Sequence, residues 1–173
     1  MNDRIKLIIT SLLAGVALTL AFSSMAGMTE AKSVNPNLGA TPMTETETFK
    51  AFGGKEGLVK IMDDFMDGLV TDPRTADFLG PADKTRIKAM LVEQMCEILN
   101  GGCTYPGRSM LDSHKNMKVN RAAFNGLVEQ FQIAMDKHNV PFSAQNKLLA
   151  KLAPMYRAIE RTTGDAVAPE NKM

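Results

Sequence analysis

Apolar residues recur at helical spacing through most of the chain. Leu58, Ile61, Met62, Phe65 and Leu69 form one stripe after a break at Gly53-Gly54. Asp72-Pro73 ends it, because a residue before proline is pushed out of the helical region. Ile87, Met90, Leu91, Met95 and Ile98 form a second stripe, with Asp83 as its cap and Asn100-Gly101-Gly102 as its stop. Phe124, Leu127, Val128, Phe131 and Met135 form a third. Leu148, Leu152, Met155 and Ile159 form a fourth, and Pro154 inside it predicts a bend. No stretch of useful length alternates with period two, so the pattern predicts an all-α fold without a sheet.

The ends read differently. Arg4 and Lys6 precede the apolar run LIITSLLAGVALTLAF, and Ser24-Met25-Ala26 supplies a small-x-small cleavage site. Residues 1–26 therefore read as a signal peptide, which predicts export, to a periplasm in the first instance. The run is near the shortest length that crosses a bilayer, so an uncleaved membrane tether is the alternative. No cysteine follows the run and no Arg-Arg precedes it, which argues against a lipid anchor and against twin-arginine export. Residues 27–47 are rich in Thr, Glu, Pro, Asn and Gly and predict a flexible linker. Residues 161–173 predict a loose tail. One helical domain over 48–160 remains, which suits a chain of 173 residues.

Charge excludes some partners. The formal net charge is +1, and it vanishes once Arg4, Lys6 and Asp3 are set aside with the export segment. Nothing argues for nucleic acid or for electrostatic attraction to a membrane surface. Methionine is abundant and tryptophan absent, which suits a soft core that tolerates an odd-shaped partner.

The chain has two histidines and two cysteines. His114 lies in GRSMLDSHKNMKV, where Gly107 and Asp112 offer starts for a short helix. Met110, His114 and Met117 would then share one side of that helix. By spacing alone, His114 is either a structural side chain or a ligand. His138 continues the third stripe one turn after Met135, and is expected to bond the last carbonyls of its helix. Cys96 and Cys103 flank the start of a glycine-containing loop from Asn100 to Arg108. A disulfide and two free thiols are both open. No Cys-x-x-Cys-His occurs, so covalent c-type haem attachment is not expected.

Taken in order, FKAFGG, MDDFMDGLVTDPRTADFL, GGCTYPGRSMLDSH and NVPFSAQNKLLAKLAPM resemble the group 1 truncated haemoglobins from about Phe49 to Ile159. The resemblance implies a two-over-two helical globin with non-covalent haem b. It implies oxygen, carbon monoxide and nitric oxide as ligands, and His114 as the proximal iron ligand. Met110, Met117 and Phe124 would line the haem. Arg86 and Arg108 would meet its propionates, or remain ordinary surface arginines. The distal side departs from the family. Met66 stands where a tyrosine is usual, and Ile87, Met90 and Leu91 stand where a polar side chain is usual. Leu79 replaces the second phenylalanine of a pair. Gln94, one turn beyond Met90, faces either the pocket or the core edge. A thioether can bind haem iron, so Met90 is the candidate distal ligand, with apolar packing as its alternative. An apolar distal side with a sulfur ligand would suit electron transfer, with an unidentified redox partner. No acid or base marks a dedicated catalytic activity. The rival reading is a haem-free globin-fold interaction module.

Overall fold

The structure, a computed structural model, describes residues 35–160. The stretches expected to be a signal peptide, 1–26, and a loose tail, 161–173, lie outside the described residues. Among the described residues there is no strand, and no helix is long and apolar enough to cross a membrane.

Helix α1 (Glu47–Ala51) runs into two consecutive left-handed residues, Gly53 at φ 75° and Gly54 at φ 68°. Glycine takes that conformation without steric cost, so the chain reverses here into α2 (Gly54–Thr71). Helix α2 buries Leu58, Ile61, Met62, Phe65 and Leu69, the residues of the first stripe. It stops at Asp72, whose backbone is extended ahead of Pro73. A short α3 (Ala76–Leu79) leads to α4 (Lys84–Ile98). The Asp83 side chain accepts the Arg86 backbone N–H at 3.0 Å, as its capping role requires. Asn100, at φ 60°, turns the chain out of α4.

Helix α5 (Met110–Ser113), α6 (Arg121–Lys137), α7 (Phe142–Leu152) and α8 (Tyr156–Glu160) complete the domain. A 3-10 turn at Ala153–Met155 separates α7 from α8 and holds Pro154, so the α-helix is interrupted at the proline. Helix α2 is the central element: α4 and α6 both pack along it. Phe65 of α2 meets Phe131 of α6 with ring centroids 5.0 Å apart. Arg74 fastens the turn after α2 to α6. It pairs with buried Asp72 and with Glu129, each at 2.7 Å.

Two expectations change. Composition assigned residues 27–47 to a linker, yet from Asn35 onward this segment is packed against the helices. Leu38 is fully buried and Met43 nearly so. The Met43 N–H donates to the Ile98 carbonyl at 2.7 Å, and Gln94 Nε2 donates to the Leu38 carbonyl at 2.9 Å. These bonds satisfy an end-of-helix carbonyl and a buried amide, so the segment is fixed by polar pairing that composition does not register. His138 also differs. Its side chain reaches across to α2, with Nε2 2.7 Å from Asp64 Oδ2, and does not cap its own helix. The nearby carboxylate offers a stronger partner than a helix carbonyl.

Candidate functional site

His114 closes the short helix α5. Ser109 caps that helix: its hydroxyl accepts the Asp112 N–H at 3.1 Å and donates to the Asp112 carboxylate at 2.6 Å. Four residues suffice to present the Met110 carbonyl to the His114 ring, at 2.9 Å from Nδ1. A carbonyl can only accept, so in the neutral ring Nδ1 carries the proton. Nε2 is then left with a lone pair, the state in which imidazole binds metals. The helix ends sooner than the Met110–His114–Met117 spacing predicts. His114 is its C-cap, and Asn116 and Lys118 take left-handed backbones at φ 67° and 53°. Met117 therefore follows a turn, its N–H bonded to the His114 carbonyl at 3.1 Å, and is not a second helical neighbour.

The loop before α5 is held from α4. Cys96 and Cys103 form a disulfide with Cα atoms 5.6 Å apart, which decides between the bridge and the free thiols. Gly101 lies against the Phe49 ring and the Cys96 sulfur, where a Cβ would come within 2.5 Å and 2.8 Å of them, so a larger residue would have to displace one or both. Glu97, buried to 4% exposure, accepts the Tyr105 N–H at 2.6 Å and the Asn35 amide at 3.1 Å. Asn35 also donates to the Tyr105 carbonyl at 2.9 Å. The Tyr105 ring lies over Gly107, where a Cβ would collide with it, and its hydroxyl donates to the Arg108 carbonyl at 2.9 Å. Burial pushes the Tyr105 phenol above its ordinary pKa.

The remaining candidates are apolar. On α4, Ile87, Met90 and Leu91 are half-buried, while Val92, Met95, Cys96 and Ile98 further along are buried. Helix α6 repeats this gradient: Phe124, Leu127 and Val128 are half-buried, and Phe131, Ala134 and Met135 are buried. Leu79, Met90, Leu91 and Met110 all pack on the central core. Phe124 packs at a tilt against Tyr156 of α8, with centroids 4.5 Å apart. Met66 is buried and borders a groove between α2 and α4 beside Lys84, Thr85 and Lys88. Gln94 is spent on the Leu38 carbonyl, which settles it as a core-edge residue. Arg86 and Arg108 are exposed, and neither guanidinium pairs with a described carboxylate.

One imidazole nitrogen, thioethers and aliphatic side chains on two helices, and two arginines without a described carboxylate partner are residue types that a flat, apolar, iron-bearing group would use. Asp63 and Asp67 line the groove at Met66, whereas Ile87, Met90 and Leu91 on α4 and Phe124, Leu127 and Val128 on α6 are apolar. Sequence reasoning missed Glu97, Tyr105, Asn35 and Tyr156. Tyr105-Pro106-Gly107 was visible as part of a long loop, but the partners of a buried carboxylate 8 residues away are not written in periodicity.

Comparison with curated proteins finds no match. Among solved structures, the chain is similar to the truncated haemoglobin of Tetrahymena pyriformis in its iron(III) form. The TM-score is 0.62 at 17% identity, over 65% of this chain and 96% of the other. A 2/2 haemoglobin from a Synechococcus species, in the cyanomet state and with covalently attached haem, matches with a TM-score of 0.62 at 18% identity. That match covers 66% of this chain and 98% of the other. These likenesses establish the two-over-two helical fold. The family model for bacterial-like globins matches residues 47–161, the greater part of the chain, and so the protein belongs to the bacterial-like globin family.

Proposed function

We propose that the protein is an exported truncated haemoglobin of the group 1 type that holds haem b non-covalently through His114. The observation that carries this reading is the bond from His114 Nδ1 to the Met110 carbonyl at 2.9 Å, which leaves Nε2 as a base for iron. Ferrous haem supplies the capacity to bind oxygen, carbon monoxide or nitric oxide.

The chain's own residues set the terms of that binding. Met110, Met117 and Phe124 supply apolar surface on the side of His114. Ile87, Met90 and Leu91 supply it from α4, with Met66 and Leu79 from the elements before it. None of these side chains donates a hydrogen bond. With Gln94 engaged elsewhere, the distal side lacks the donor that favours oxygen over carbon monoxide. Weak discrimination between diatomic ligands, or electron exchange with a redox partner, suits this inventory better than tight oxygen storage. Arg86 and Arg108 are available to pair with carboxylates at the haem edge.

Reconstitution with haem tests the reading. Wild type should take up one equivalent and show a Soret band, and His114→Ala should abolish stoichiometric uptake. Nonspecific uptake that ignores His114→Ala would instead favour a haem-free globin-fold interaction module. Processing between Ala26 and Gly27, read by N-terminal sequencing of protein recovered after export, tests the signal peptide.

A further inference from the structure

The loop that carries the chain from α4 to His114 is fastened at its start by the disulfide and by Glu97, on adjacent residues of α4. Cys96 is fully buried, whereas Cys103 is half-exposed. Glu97 binds the Tyr105 N–H, Tyr105 binds the Arg108 carbonyl, and the next residue, Ser109, caps α5. The ring of His114 takes its orientation from the first residue of α5. A continuous set of bonds therefore runs from the two sulfurs to the histidine. Asn35 of the packed N-terminal segment donates to both Glu97 and the Tyr105 carbonyl, so the loop two residues beyond Cys103 is held against folded structure.

We propose that the Cys96–Cys103 disulfide positions His114, and that its reduction by a dithiol loosens the protein's hold on haem. The proposal rests on the haem reading given above. A thiolate of the dithiol attacks the sulfur of Cys103, the less buried of the two. The Cys96–Cys103 bond breaks, Cys96 leaves as a thiolate and takes up a proton, and a mixed disulfide forms at Cys103. The second thiol of the reductant then closes on its own sulfur in that mixed disulfide and releases Cys103. Two electrons and two protons pass to the protein, which holds two thiols, and the reductant becomes a disulfide. With the bridge open, the loop keeps the hydrogen bonds of Glu97 and Asn35 to Tyr105 but loses its covalent tie at Cys103.

The test compares full-length oxidised protein with protein treated with dithiothreitol, and with Cys96→Ser/Cys103→Ser. Amide hydrogen exchange is read in the haem-free form, and haem transfer to an excess of a haem-scavenging apoprotein is read in the reconstituted form. Reduction should speed exchange across residues 104–114 and leave α2 and α6 protected. Haem transfer should accelerate about tenfold, the usual size of an outer-shell effect on a metal site. The double variant should behave as reduced protein and ignore dithiothreitol. Unchanged exchange over 104–114 overturns the proposal. So does faster exchange with unaltered haem transfer, or loss of protection in α2 and α6, which would mark global unfolding. Failure of both redox forms to take up stoichiometric haem sinks the haem reading, and this proposal with it, while the exchange data still report whether the bridge clamps the loop.

Discussion

The Nδ1 atom of His114 lies 2.9 Å from the carbonyl oxygen of Met110, the first residue of the helix that His114 closes. The partner that fixes the imidazole tautomer is thus supplied by the backbone of the same short helix, without a carboxylate. The ring is held by a carbonyl and not by a carboxylate, so in the neutral ring Nδ1 keeps its proton and Nε2 is the nitrogen left to bind a metal. The register of one helical turn decides the orientation of the ring.

Ser109 is therefore expected to matter beyond its size. Ser109→Ala removes the cap on α5 at a cost of about 1 kcal/mol, and this should appear as about fivefold faster haem dissociation. The thermal midpoint of the domain should fall by only about 4 °C, as a loss of that size implies. Equal haem dissociation rates in variant and wild type would show that the cap does not hold the histidine.

Tyr105→Phe tests the loop at neutral and alkaline pH. Loss of the hydroxyl bond to Arg108 should cost about 1 kcal/mol at pH 7, measured by urea unfolding. The folded phenol sits above its ordinary value of 10.0 because burial disfavours its charged form. Its contribution to stability is present below the unfolded value and is lost as pH rises through the folded one. Wild type should thus lose stability above about pH 10 more steeply than Tyr105→Phe. Parallel curves for the two proteins would contradict this.

The apolar distal side can be given a donor. Ile87 is half-buried on the exposed end of α4, so glutamine should fit there at small cost to stability. Ile87→Gln should raise oxygen affinity about tenfold while carbon monoxide affinity changes little, since the more polarised ligand gains from a donor of about 1–2 kcal/mol. Laser photolysis and stopped-flow measurements give both constants. Equal shifts for the two gases would place Ile87 away from the ligand.

Met90 packs on the central core, which supports apolar packing over iron ligation for its thioether. The ferrous protein without added gas should accordingly be five-coordinate and high-spin, and Met90→Ala should leave that spectrum unchanged. A six-coordinate wild type that becomes five-coordinate in Met90→Ala would make Met90 the distal ligand instead.

The sequence by itself determined the helices and their order. A stripe of apolar residues at helical spacing can be buried in only one way, and Asp72-Pro73, Asp83 and Pro154 act on their own backbone neighbours. Those signals are local, and the structure places α2, α4, α6 and the interruption before α8 where they predict. His114 stood out in the sequence as one of two histidines, in a glycine-loop and helix pattern that resembles the family, and its role as a ligand is the proposal made above. Only the tertiary structure decided the rest. It paired Cys96 with Cys103, spent Gln94 on Leu38, sent His138 to Asp64 and drew residues from Asn35 onward onto the helices. Each of these outcomes depends on which polar group a folded neighbour brings within about 3 Å. Such meetings join residues as far apart as Asn35 and Tyr105, and neither composition nor periodicity carries that distance.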